Sequence, residues 1–285
     1  MNSLTLAERV AVTDKLDYTV LRYLIENRDR FEFIPKDVLK DDLGLSDKEL
    51  QISILRLIKN GALLKKKIRG KDSFSITFTG LDIVATKSLY SKKIVKNLGI
   101  IIGEGKESRV MFGYDFEGNT VVVKYHRIGR KSFKKKIENF PTKNWVSMTL
   151  ENARREYEAL QCVKSNMGYV PSPIGFSTNA VVMEYFEGRP LYRAEVENPE
   201  NVLNNVLATL RVAYLYCGGI THGDLSQYNV MVNGQGDTIV IDWPQATRSE
   251  TKLGRDIERI LLYFEKEFLI EKNIEEVTNY VKGSS

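Results

Sequence analysis

The feature that most restricts this chain is a polar loop followed by two short apolar runs. The loop reads Thr221-His222-Gly223-Asp224-Leu225-Ser226-Gln227-Tyr228-Asn229, and the runs are Val230-Met231-Val232 and Ile239-Val240-Ile241, closed by Asp242. Asn233-Gly234-Gln235-Gly236 turns the chain between the runs, so they read as a hairpin. Asp224 and Asn229 stand five residues apart, and Asp242 follows Asp224 by 18 residues. Such a hairpin presents one carboxylate, one amide and a second carboxylate around one space. A single Asp or Asn in a loop usually only makes a turn. Three in this order fit a chemical role better, because hard divalent cations take oxygen ligands. Asn229 and Asp242 are therefore assigned as metal ligands. Asp224 is assigned as the catalytic group that orients, or takes the proton of, an attacking hydroxyl or water.

Upstream lies Gly103-Glu104-Gly105-Lys106-Glu107-Ser108-Arg109-Val110, between two strand-like runs. Glycines let backbone N–H groups approach an oxyanion with no Cβ in the way. The spacing follows the glycine-rich loop of kinases, with Ser108 where a third glycine would stand. Alone such a match is weak, since most are ordinary hairpin turns. A β-branched run, Thr120-Val121-Val122-Val123, then ends in Lys124. A lysine there either snorkels out of a strand or acts as a point charge on phosphates, held by a helix glutamate. The helical stretch from Thr149 to Lys164 offers Glu151, Glu156 and Glu158, and Glu156 is chosen because Tyr157, Leu160 and Val163 suggest an adjoining buried face. Val181-Val182-Met183-Glu184-Tyr185-Phe186-Glu187-Gly188 is an apolar strand entering a glycine-ended connector. The kinase parts Asp-Phe-Gly and Ala-Pro-Glu are missing: Asp242 is followed by Trp243-Pro244-Gln245, and 43 residues remain after it. The catalytic set thus reads as present and a peptide-substrate platform as absent.

The first 84 residues read as a separate domain. Helical spacing of Val20, Leu21, Leu24 and Ile25 gives one helix, and Pro35 opens a second that ends at Gly44. Ser46 with Glu49 reads as a capping box for a third helix, which stops at Asn60-Gly61. Two strand-like runs follow, Ala62 to Ile68 and Phe74 to Thr79. Three helices and a basic hairpin is the order of a winged helix. Lys65, Lys66, Lys67, Arg69 and Lys71 fall on the wing. They fit phosphate contact, a solvated face or a docking module; residues 1–90 hold 16 basic and 13 acidic side chains, far from a strongly basic reader. Leu81 to Asn97 reads as a helix leading onward.

These residues resemble the RIO family of atypical protein kinases, and within it the Rio2 subfamily. GEGKESRV resembles the phosphate loop, HGDLSQYN the catalytic loop, IDWPQ the metal loop, KYHRIGRKSF the segment after the strand lysine and NWVSMTLENARREYEAL the lead into the glutamate helix. The chain departs at Arg109, Met111 and in the wording LSQYN. The resemblance implies an α+β chain, a winged helix followed by a compact two-lobed kinase-like domain. The divisions are 1–84 winged helix, 85–98 connecting helix or linker, 99–187 N-lobe and 188–285 C-lobe. It implies ATP with Mg2+ (Mn2+ as a substitute) held by Gly103, Gly105, Lys106, Glu107, Ser108 and Val110, with Lys124 paired to Glu156. Met183 would gate the adenine pocket, and Glu184 and Phe186 would give it backbone hydrogen bonds. Catalysis would fall to Asp224, Lys124 and Asp242. It further implies a part in small-subunit maturation with precursor subunit and rRNA as partners, an unidentified protein phosphoacceptor, autophosphorylation, and an ATPase cycle with phosphate passed to Asp242. The length resembles archaeal members.

Between Lys124 and the helix, Arg127, Arg130, Lys131, Lys134, Lys135, Lys136 and Lys143 read as a basic loop for rRNA phosphate or nucleotide, with Trp145 as its anchor. Cys162 and Cys217 are too few for a disulfide framework and read as core residues, while His126 reads as structural and His222 as a support of the catalytic loop. The net charge of +5 permits a nucleic-acid partner without demanding one. The start lacks a signal-peptide pattern, and no apolar run nears the ~18 residues of a membrane span, so a cytoplasmic protein without membrane contact is expected. Two rival readings stay open: a small-molecule phosphotransferase of the aminoglycoside-kinase type, and an ATP-gated scaffold without catalysis.

Overall fold

The computed structural model describes residues 4–128 and 145–284. They divide into two compact units that interleave along the chain: Met1–Ala153 with Gly175–Val182, and Arg154–Ile174 with Met183–Ser285. Each is taken by itself.

The first unit opens with α1 (Leu6–Ala11), α2 (Lys15–Glu26), β1 (Ile34–Pro35), α3 (Lys36–Leu43), α4 (Asp47–Lys59), β2 (Leu63–Ile68) and β3 (Lys71–Ile76). Capping boxes start α1 at Thr5, α2 at Asp14 and α4 at Ser46, and Gly44 ends α3 in the left-handed region at φ 62°. The strands form a sheet in the order β1-β3-β2. The three expected helices and the hairpin are present in the expected order, preceded by the short helix α1. The second hairpin strand shifts at both ends: it starts at Lys71, not Phe74, and ends at Ile76, because Thr77 caps a new helix through its hydroxyl, which accepts from Gly80 N at 3.0 Å. That helix, α5 (Phe78–Ser91), starts three residues earlier than its expected start and ends sooner. The wing is less bare than its sequence suggests. Lys65 pairs with Asp72 at 2.6 Å, Lys71 pairs with Asp37 at 2.6 Å, and Lys66 lies over the Phe33 ring.

From α5 the chain enters β4 (Asn97–Glu104), β5 (Ser108–Tyr114) and β6 (Thr120–His126). With β7 (Pro173–Ser177) and β8 (Ala180–Glu184) they make a five-stranded sheet in the order β4-β5-β6-β8-β7. One buried cluster joins the helices to this sheet, running from Leu21 and Leu57 through Leu81, Ile83 and Leu89 to Val121, Val123 and Val182. The stretch expected as connector, 85–98, is the second half of α5 and the entry to β4, and Ala85, Leu89 and Val95 are buried in that cluster. Trp145 packs on the Phe78 ring, 4.5 Å between centroids.

The second unit holds most of α6 (Trp145–Ser165), β9 (Arg189–Pro190), α7 (Pro199–Tyr216), β10 (Val230–Val232), β11 (Thr238–Val240), α8 (Glu250–Phe268) and α9 (Ile274–Lys282). β10 and β11 are the expected hairpin, antiparallel, with Asn233 Oδ1 accepting from Gln235 N and Asp237 N in the turn. The cysteines depart from expectation. Neither is in the core; both are half-buried and they form a disulfide, the end of α6 and the turn after α7 standing 5.9 Å apart at Cα. Among the described residues, no helix is long and apolar enough to cross a membrane.

Candidate active site

In the second unit the polar loop is held from beneath by α8. Asp256 is buried, and its carboxylate accepts from Thr221 Oγ1 at 2.6 Å, Gly223 N at 2.7 Å and Leu225 N at 2.8 Å. Charge-assisted bonds of this kind are stronger than neutral ones. Sequence reading passed over Asp256. Its signal was an acid on the apolar stripe of Leu253, Ile257, Ile260 and Phe264. Gly223 is required twice: its φ is +85°, and a Cβ would lie 2.4 Å from Gln245 O.

His222 supports the loop as expected. It is buried, Asp224 N donates to its Nδ1 at 3.4 Å, and its Nε2 therefore carries the proton that reaches Ile241 O at 2.9 Å. Asn229 is tied to both sides of the hairpin. Its Nδ2 donates to Asp224 O at 2.9 Å, and its carbonyl accepts from Ile241 N at 2.8 Å. With the nitrogen so engaged, Oδ1 is the atom it can offer a cation. Asp242 directly follows Ile241 in the left-handed region at φ 71°, an uncommon place for a residue with a Cβ and one that re-aims its side chain at the strand end. The next residues are anchored by α6: Glu156 Oε1 accepts from Trp243 N at 3.1 Å, and Arg155 donates to Pro244 O at 3.1 Å. Glu156 is buried, Glu151 is half-buried and Glu158 is exposed. The Asp224 carboxylate is met by Arg259 of α8, 2.9 Å from Nη1 to Oδ1.

Met183 is buried at the end of β8. Glu184 N donates to Ser172 O at 2.9 Å, so of its backbone groups the carbonyl is the one to offer an adenine edge. Phe186 lies close over Gly188, where a Cβ would meet its ring at 2.4 Å.

In the first unit, Gly103 to Val110 is the β4–β5 hairpin, closed by Gly105 N on Ser108 O at 2.9 Å. Neither Gly103 nor Gly105 has positive φ, and a Cβ on either would meet only ordinary contacts, at 3.7 and 3.9 Å. Among the described residues nothing demands glycine at these two places, which agrees with a ligand approaching the backbone. Lys106 and Glu107 are exposed; Ser108 and Val110 are half-buried. Lys124 is buried in β6 with Val110 as its partner in register. Lys124 and Glu156 belong to different units. His126 is buried and backbone-bonded to Asn179, as a structural residue should be. Arg127 overturns its reading as a loop cation: it is 4% exposed and ion-paired with Asp82. The other basic residues from Arg130 to Lys143 lie outside the described residues.

A RIO domain profile matches residues 109–277. The chain is 27% identical to serine/threonine-protein kinase rio2 of Dictyostelium discoideum, over 89% of this chain and 52% of that protein. It is 28% identical to RIO-type serine/threonine-protein kinase Rio2 of Methanocaldococcus jannaschii, over 86% of this chain and 94% of that protein. Its fold is similar to a Chaetomium thermophilum Rio2 kinase solved as an ADP/Mg2+-phosphoaspartate complex, with a TM-score of 0.80, 24% identity, and 98% and 89% of the two chains covered.

Proposed function

Because this chain belongs to the RIO family, we propose that it is a cytoplasmic Mg-ATP-dependent atypical serine/threonine kinase, or an ATPase built on the same site, acting in maturation of the small ribosomal subunit. The Rio2 relatives carry serine/threonine-kinase names, and they argue against the aminoglycoside-kinase reading. The observation that carries the proposal is the set around the β10–β11 hairpin: Asp224 N donates to His222, Asn229 bridges Asp224 O and Ile241 N, and Asp242 follows Ile241 at φ 71°. An amide oxygen and a carboxylate fit Mg2+, which prefers one or two protein ligands together with phosphate oxygens and water. When bound, the cation would neutralise charge on the phosphates.

The residues would divide the work as follows. Gly103 to Ser108 would give backbone N–H groups to the phosphates, and Lys124 would add a point charge. Met183, with the carbonyl of Glu184 and the N–H of Phe186, would seat the adenine. Asp224 would orient the acceptor hydroxyl and take its proton as the oxygen attacks the γ-phosphorus. The bond from that phosphorus to the β–γ bridging oxygen breaks, and ADP leaves. A second reading has Asp242 itself as acceptor. It is favoured by the strained backbone at Asp242, and by the Chaetomium thermophilum Rio2 kinase having been solved with a phosphoaspartate. A carboxylate oxygen then attacks, ADP leaves, and water later hydrolyses the acyl phosphate.

The test is incubation with γ-labelled ATP and Mg2+, with and without small ribosomal subunits, reading released phosphate and label kept on the chain. Asp224→Ala and Asp242→Asn should each lose turnover by at least a hundredfold. Stimulation by subunits would favour the ATPase in assembly, hydroxylamine-labile label would favour Asp242 as acceptor, and hydroxylamine-stable label would favour a serine or threonine of the chain. Tight ATP binding with no turnover under any condition would overturn the enzyme reading in favour of a gated scaffold.

A further inference from the structure

Inside the first unit, a fully buried carboxylate on α5 gathers the three residues that follow Lys124. Asp82 has no exposed surface. Arg127 Nη2 donates to its Oδ2. Asn179 Nδ2 donates to its Oδ1 at 2.8 Å and to His126 O at 2.9 Å, while His126 N donates to Asn179 O at 2.8 Å. The hydroxyl of Thr86, one turn along α5, donates to Asp82 O at 2.7 Å and so accepts from the buried Tyr125 hydroxyl at 2.7 Å. Tyr125, His126 and Arg127 are thus all tied to one helix turn.

Arg127 continues the connection into the phosphate loop. Its backbone N–H donates to Glu107 O at 2.7 Å. Its Nη1 stands 3.9 Å from Glu104 Oε1, which also accepts from Arg109 Nη2 at 2.9 Å. The Arg127 fork therefore has one arm on α5 and another toward the loop. Buried charge pairs are held by geometry, because neither partner has water to fall back on. Burial pushes the Asp82 carboxyl above its ordinary range, and the adjacent Arg127 guanidinium opposes that shift without cancelling it.

We propose that Asp82 is a positioning residue for the nucleotide phosphates: through Arg127 and Asn179 it fixes the Gly103–Ser108 loop and the end of the Lys124 strand. This rests on the reading of that loop as the phosphate site. α5 shares its core with the N-terminal helices. A partner that shifts α5 therefore has a physical route to ATP affinity.

The test compares two ligands on the full-length chain by titration calorimetry: ATP with Mg2+, and adenosine, which has no phosphates for the loop to hold. Arg127→Lys keeps the charge but loses the fork. It should weaken ATP about tenfold to a hundredfold and leave adenosine within about twofold. Asp82→Asn should do the same. The double variant Asp82→Asn with Arg127→Gln, which buries no unpaired charge, covers the case in which single variants do not fold. A purely structural role would weaken both ligands together or neither, and would leave their ratio unchanged; that result, in any folded variant, overturns the proposal. If the wild-type chain binds adenosine no more weakly than ATP, the phosphate-site reading itself fails.

Discussion

Asp256 shows how one buried carboxylate can organise a whole loop. Its three accepted hydrogen bonds come from alternate residues of the Thr221–Leu225 segment, so the loop is hung from α8 at three points. Asp256→Ala would leave those donors facing a cavity, at a cost of about 3–5 kcal/mol. The expected outcome is a lower urea midpoint and a kcat reduced at least tenfold, with the KM for ATP nearly unchanged. A stability within about 0.5 kcal/mol of wild type would show that the loop is held by something else. Asp224, Asn229 and Asp242 stand out in the sequence because their types and spacing suit cation and phosphate chemistry. Asp256 was not, because an acid on an apolar stripe announces burial without naming its partners.

At the scale of elements, the N-terminal helices and wing are stitched by lysine–aspartate pairs that the basic run conceals. Hydrogen bonds from Lys71, Lys40 and Lys65 hold Asp37, Asp47 and Asp72 below the usual carboxylate range. The folded-state values lie under the unfolded ones, so the contribution is present above about pH 4 and is lost as pH falls through the folded values. All these groups keep contact with water, so the effect is modest and salt-sensitive. Urea melts of wild type and a Lys65→Met, Lys71→Met variant measure it. Their stability difference should shrink as pH drops below about 4, and again on adding ~1 M salt. A difference that ignores both pH and salt would mean the lysine stems, not their charges, stabilise the wing. Helices α2, α3 and α4 were readable from periodicity, the Pro35 and Gly44 signals and the Ser46 capping box, while the six-residue α1 is too short to show a period. The end of β3 was not, because alternation in Phe74, Ile76 and Phe78 continues past the residue where Thr77 turns the chain into α5.

At the scale of the whole chain, the disulfide ties together residues far apart in sequence. Cys162 and Cys217 close a span of 55 residues, which in the chain-entropy account contributes about 4 kcal/mol. Reductant should lower the thermal midpoint by several degrees. Cys162→Ser should show the lower midpoint without reductant and no further change with it. Wild-type chain should resist alkylation until reduced; two free thiols in the native protein would contradict the pairing.

The sequence alone determined whatever depends on neighbours: caps, turns, the hairpin behind Asp224, Asn229 and Asp242, the glycine loop and the lysine that follows it. Short-range chemistry sets these, so residue type and spacing suffice. Only the tertiary structure decided that Arg127 is a buried partner and not a loop cation, that Asp256 holds the Thr221–Leu225 loop, and that the cysteines meet. Those pairs are separated by 45, 31 to 35, and 55 residues. No local period encodes such meetings. They arise when apolar faces pack and leave the polar groups caught between them to find one another, since a buried donor or charge without a partner costs more than the fold can lose.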